Sequence, residues 1–162
     1  MPAKSLELKH TLRLIDELNS EIDEIESEIK NIMDEIHSPI LTIPGIGYRI
    51  GAMILAKVGD SSHFDSPDKL LAYAGISPPT YQSSQMESSY SHIEKRSSRY
   101  LRFALTNAAK YVCHWDESFG TYLQKKISEG KHYNVAITHA IKKLVRLIYA
   151  MKKSGKPYVK AA

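Results

Sequence analysis

Ile15, Leu18, Ile22, Ile25, Ile29, Ile32 and Ile36 follow one another at alternating spacings of three and four residues, and Leu8 extends the series back by seven. This is the a/d pattern of a heptad repeat, and it predicts one long helix over roughly residues 5–37. Glu and Asp fill most of the positions between. A lone helix with so narrow an apolar stripe cannot bury it on itself and needs a partner helix. Residues 1–37 hold four bases and ten acids, a net charge of −6, whereas residues 38–162 hold 18 bases and 8 acids, a net charge of +10. The acidic flanks disfavour packing on the chain's own basic body and favour an intermolecular coiled coil, hence a homo-oligomer formed through residues 5–37. Ile at both a and d leaves the number of strands open. The division is therefore into a coiled-coil helix, 1–37, and a basic body, 38–162.

The basic body suits a polyanionic partner. No run of 18 apolar residues exists and the N-terminus lacks a signal-peptide core, so no membrane association is expected. Cys113 is the only cysteine, which excludes an internal disulfide and points to a reducing cytoplasm. The seven histidines are scattered without metal-ligand spacing, so no metal or other cofactor is expected within this chain.

The rest of the chain reads as helices separated by clear breaks. Ser38-Pro39 ends the first helix, and Ile40–Ile43 forms a short turn. A helix over about 47–58 turns Ile50, Met53, Ile54 and Ala56 inward. Ser66 is an N-cap with Pro67 at the first helical position, and the helix over 67–74 buries Leu70, Leu71 and Tyr73 before Gly75 closes it. Three further helices are expected over about 98–114, 117–128 and 134–153. Asp116 caps the second of these, and Gly155-Lys156-Pro157 stops the third. The fold class is all-α. One face of the last helix carries His139, Lys142, Lys143 and Arg146 at helical spacing, a row that either faces water or tracks phosphates.

Two segments carry the chemistry. In Ile43-Pro44-Gly45-Ile46-Gly47-Tyr48-Arg49-Ile50-Gly51-Ala52, Gly45 and Gly47 permit a tight turn with positive φ, and the following helix offers its N–H groups and positive dipole end to an anion. This run resembles the hairpin of helix-hairpin-helix modules, which hold the DNA sugar-phosphate backbone without reading sequence. The second segment, 81–98, has seven serines and no helical period, so an irregular loop is expected. It ends in Lys95 and Arg96, followed by Arg99 and Arg102 on one face of the next helix start. A serine hydroxyl beside guanidiniums and a helix N-terminus is placed to attack a phosphodiester, with arginine holding the non-bridging oxygens. Serine needs activation, and no Ser-His-Asp spacing is visible, so His92 has no assigned role.

These pieces occur in an order that resembles the C-terminal domain of insertion-sequence transposases of the IS110/IS116/IS902 type, relatives of the Piv DNA invertase. The matching residues are the Ile43–Ala52 hairpin, Phe64 with Leu70–Gly75, Pro78 with Gln82-Ser83, Ile93 with Lys95, Tyr100-Leu101-Arg102, Gly130-Lys131 and the helix from Ala136 to Tyr149. The resemblance implies a DNA recombinase whose RuvC-like domain carries a DEDD set of Mg²⁺ ligands, whose C-terminal domain carries a serine nucleophile, and whose coiled coil assembles dimers. Some members choose targets with a bridging guide RNA. The family's Gln-Ser-Gly motif maps the nucleophile onto Ser83. The DNA-binding set is then Gly45, Gly47, Arg49, Lys95, Arg96, Arg99, Arg102, Lys142, Lys143 and Arg146, in a prokaryotic cytoplasm at the nucleoid.

Ser84 and Ser97 stand where the family usually has Gly, and at a positive φ either serine costs on the order of 1 kcal/mol or more. The acids of the body form no evident two-metal set. The expectation is a C-terminal fragment that needs a RuvC-like domain for complete recombination. The alternatives are a non-catalytic DNA-binding and oligomerisation module, and a tyrosine nucleophile at Tyr81 or Tyr90.

Overall fold

The computed structural model describes residues 2–59, 63–76 and 98–160. Among them the only regular structure is helical. The chain divides into two compact units, Met1–His37 and Ser38–Ala162.

The first unit is α1, Pro2–Ile36, 35 residues long. Leu8, Ile15, Leu18, Ile22, Ile25, Ile32 and Ile36 of the heptad stripe are exposed along it. The helix gives way at His37, whose φ of 49° is in the left-handed region, one residue before the Ser38-Pro39 break.

The second unit opens with a one-turn 3₁₀ helix, Pro39–Thr42, capped by the Ser38 hydroxyl. Five helices follow: α2 Tyr48–Val58, α3 Pro67–Tyr73, α4 Arg99–Trp115, α5 Glu117–Ser128 and α6 Tyr133–Ser154. Their ends follow local chemistry. The Ser66, Ser98 and Asp116 side chains accept N–H bonds from Lys69, Leu101 and Phe119 at the starts of α3, α4 and α5. Gly155, at φ 67°, closes α6.

α4 is the centre of the unit and packs on α2, α5 and α6, while α6 also packs on α3 and the 3₁₀ turn. Its buried face is Leu101, Ala104, Leu105, Ala108, Ala109 and Val112, and three alanines in that row let neighbouring backbones come close. Ile137, Ile141, Leu144, Ile148 and Met151 of α6 are buried, as their spacing predicts.

Two inward assignments are corrected. Ala56 is exposed, because the buried side of α2 runs through Gly51, Ile54 and Val58, leaving Ala56 on the other side. Tyr73 is 40% exposed. α3 ends at that residue, its ring lies 5.4 Å from that of Phe64, and Ala74 and Ile76 occupy the core beyond it.

After α6 the chain folds back. The Tyr158 N–H donates to Thr42 Oγ1 at 2.7 Å, and its hydroxyl donates to Asp116 Oδ2 at 2.8 Å.

Candidate nucleic-acid interface

The hairpin between the 3₁₀ turn and α2 is held by the burial of Ile43 and Ile46 and by an Ile46 N–H bond to the Ile43 carbonyl of 3.0 Å. Gly45 sits at φ 90°, and a Cβ there would fall 2.7 Å from the Tyr111 carbonyl carbon, 2.8 Å from its oxygen and 2.9 Å from the Val112 nitrogen. Its glycine character therefore has two causes, backbone conformation and contact with the backbone of α4. Of the two hairpin glycines, only Gly45 uses the positive φ that glycine permits. Gly47 is extended at φ −87°, ψ 177°, serves as the N-cap of α2 without a side-chain cap, and has open space around it. The start of α2 is thus a helix N-terminus with an exposed N-cap, and the exposed Arg49 is the second residue of that helix.

Ser83, with Lys95 and Arg96, lies outside the described residues, as do Tyr81, Tyr90, His92 and the serines at 84 and 97. The two ends of that segment are described, and they meet. The Ser98 N–H donates to the Tyr73 carbonyl at 3.3 Å, and Arg102 Nη1 donates to the Ala74 carbonyl at 3.3 Å. Arg102 is therefore a latch between the end of α3 and the first turn of α4. Arg99 lies one residue beyond this junction; its guanidinium donates to the Tyr100 hydroxyl at 2.8 Å and is 4.8 Å from that ring's centre.

The row on α6 spreads in different directions. Lys143 is laid across α5, its Nζ 3.4 Å from the Ser118 carbonyl and 4.5 Å from the centre of the Phe119 ring. Arg146 faces Asp68 of α3 at 3.5 Å, with both side chains largely in water, a pair worth little in stability. Lys142 is half-buried next to His139, whose imidazole is held below its ordinary pKa first by burial and then by the charges of Lys131, Lys142 and Lys126. His139 is thereby biased toward its neutral form.

Two features escaped the sequence reading. One is the cluster around Asp116, which is only 2% exposed. Its Oδ1 accepts from the Ser118 hydroxyl at 2.7 Å and the Phe119 N–H at 3.1 Å, and its Oδ2 accepts from Tyr158. Burial alone raises this carboxyl, but the bonds from Ser118, Tyr158 and Phe119 outweigh it and leave the pKa below the ordinary value. The capping role of Asp116 was legible locally; Tyr158, 42 residues away, was not. The other is the outer face of α4, where Phe103, Tyr111 and Trp115 are 61%, 52% and 62% exposed. Large aromatics at the polar positions of the helical period were the available signal. Cys113 is a poor nucleophile, since burial pushes its thiol up to about 11.

Among the described residues, no group of three or more His, Cys, Asp or Glu side chains is arranged to hold a metal ion. No described helix is long and apolar enough to cross a membrane.

The family model of the transposases of the IS116/IS110/IS902 family matches residues 37–124, a stretch that contains the hairpin, α2, α3, the segment with Ser83, and α4. The chain is 31% identical over 122 residues to the insertion element IS110 uncharacterized 43.6 kDa protein of Streptomyces coelicolor, covering 75% of this chain and 30% of that protein. It is 32% identical over 129 residues to the pilin gene-inverting protein of Moraxella bovis, covering 76% of this chain and 38% of that protein. It is 29% identical over 120 residues to the insertion element IS900 uncharacterized 42 kDa protein of Mycobacterium paratuberculosis, covering 74% of this chain and 30% of that protein. The chain thus spans about a third of the length of these relatives. A family model that matches more than half of the chain, together with relatives that share its hairpin-to-α4 region, leads to one conclusion: the chain belongs to the IS116/IS110/IS902 transposase family.

Proposed function

We propose that residues 38–162 bind DNA and present Ser83 to a DNA phosphate, as the serine-bearing part of a transposase. The observation that carries this reading is the junction of α3 and α4, which brings both ends of the Ser83 segment together beside Arg99. In the proposed step, Ser83 Oγ attacks phosphorus and loses its proton, the new Oγ–P bond replaces one P–O bond of the strand, and the departing oxygen leaves as a hydroxyl. Lys95, Arg96 and Arg99 neutralise the charge gathering on the phosphoryl oxygens. The Gly45–Gly47 hairpin and Arg49 hold the backbone nearby, with Lys142 and Arg146 as outlying cations. A RuvC-like domain with a DEDD set supplies the metal-dependent chemistry, and a bridging RNA is a second partner of the assembly. The setting is the prokaryotic cytoplasm, on nucleoid DNA.

The test uses the full-length transposase with its end DNA. Ser83→Ala removes the covalent protein–DNA adduct and strand transfer, and leaves DNA affinity within about twofold, with the same dependence on salt. Strand transfer that persists in Ser83→Ala refutes the nucleophile and leaves the alternative, a non-catalytic DNA-binding and oligomerisation module.

The exposed stripe of α1 supports assembly through a coiled coil. Ile22 lies on that stripe. Ile22→Asp places a charge in the seam of each copy, and sedimentation is expected to show monomer at concentrations where the parent chain is oligomeric. Equal sedimentation of the two proteins would remove α1 from the interface.

A further inference from the structure

The face of α4 turned to water carries an unusual pairing of groups. Phe103, Tyr111 and Trp115 each keep half or more of their surface in solvent. Tyr100, 51% exposed, already has Arg99 at 4.8 Å and Lys57 at 5.5 Å from its ring centre. Lys110 is exposed on the same side, and Arg99–Trp115 contains no Asp or Glu.

Exposed rings and cations with no acid among them suit a polyanion that also offers flat apolar faces. Single-stranded nucleic acid is such a partner, because every unpaired base has a π-face and every nucleotide a phosphate. A duplex hides its base faces, so these rings would gain little from it.

We propose that the exposed face of α4 docks single-stranded DNA, with unpaired bases stacked on Phe103, Tyr111 and Trp115 and phosphates held by Arg99 and Lys110. The surroundings fit this use. The hairpin abuts the middle of the face, since Gly45 lies against the Tyr111 backbone. The junction that gathers the Ser83 segment lies at its N-terminal end, at Ser98. From Phe103 to Trp115 the helix rises about 18 Å, room for several unstacked nucleotides. The inference rests on the reading that the chain acts on DNA, whose strand exchange exposes unpaired bases, and this is why DNA rather than RNA is the assigned ligand.

Trp115 is the only tryptophan, so its emission reports directly on the surface. The full chain is titrated with a thymidine oligomer of roughly 20 nucleotides, a duplex of equal length and a uridine oligomer, at low salt. The expected result is quenching of Trp115 emission by the DNA single strand. Phe103→Ala and Tyr111→Ala each weaken single-strand binding roughly tenfold and leave duplex binding in place. Both side chains are exposed, so urea midpoints are expected to stay near the parent value. Unchanged Trp115 emission, or single-strand affinity indifferent to both substitutions, overturns the inference. Tighter binding of the uridine oligomer overturns it in favour of RNA. Loss of self-association with unaltered DNA binding overturns it in favour of a protein partner. Duplex binding without single-strand binding defeats this inference alone; absence of both defeats the DNA-acting reading as well.

Discussion

Gly45→Ala is expected to destabilise residues 38–162 by about 2–5 kcal/mol, the sum of a left-handed conformation imposed on a residue with a Cβ and of overpacking against a backbone that cannot yield. At φ 90° the new methyl would sit 2.7 Å from the carbonyl carbon of Tyr111. That carbonyl belongs to the central helix, whose neighbouring Ala108, Ala109 and Val112 are all buried, so retreat at Tyr111 would have to move the core. Gly47→Ala is the control in the same hairpin. Its φ is −87° and nothing lies within 4 Å of the added Cβ, so the change stays within about 0.5 kcal/mol. Urea unfolding of the two variants against the parent chain checks the pair. Equal midpoints for both would show that the contact of Gly45 with α4 is not constraining.

Asp116→Ala is expected to cost about 2–4 kcal/mol, since it removes a helix cap and strands buried donors that now reach the carboxylate. Ser118, Phe119 and Tyr158 each lose their acceptor, and the return of the C-terminal segment to the body loses one of its two described hydrogen bonds. Asp116→Asn is milder, because the amide oxygen still accepts, and it isolates the charge. The hydrogen bonds from Ser118, Tyr158 and Phe119 hold the folded-state pKa of Asp116 below its ordinary value, so the unfolded chain takes up the proton first as pH falls. The stabilisation carried by the carboxylate is therefore complete above about pH 5 and is lost as pH drops through the ordinary aspartate range toward the folded value. Urea midpoints of parent and Asp116→Asn should stand apart at neutral pH and converge in acid. A gap that does not change with pH would mean the charge contributes nothing.

The helix boundaries were legible because caps and periods are local. Ser66, Ser98 and Asp116 start helices through bonds to N–H groups three residues on, and the apolar spacing of α4 and α6 names their buried residues. The same locality explains the failures. Periodicity put Tyr73 inside, but a helix of seven residues ends there and the core beyond it is filled by Ala74 and Ile76. A row of cations on α6 read as one surface; in the fold Lys143 crosses to α5 and Arg146 turns to Asp68.

The candidate site divides in the same way. Sequence alone determined that a glycine turn enters α2, that arginines stand at the start of α4, and that the pattern belongs with the transposases, because turns, caps and motif order are properties of neighbouring residues. Tertiary structure decided what those residues press against. It set Gly45 on the backbone of Tyr111, 66 residues away, turned Arg102 into a latch on Ala74, and left four aromatic rings of α4 in water. Each of these depends on two distant stretches meeting in space. A linear pattern holds no record of such a meeting, because many partners satisfy the same hydrophobic period and only packing selects one.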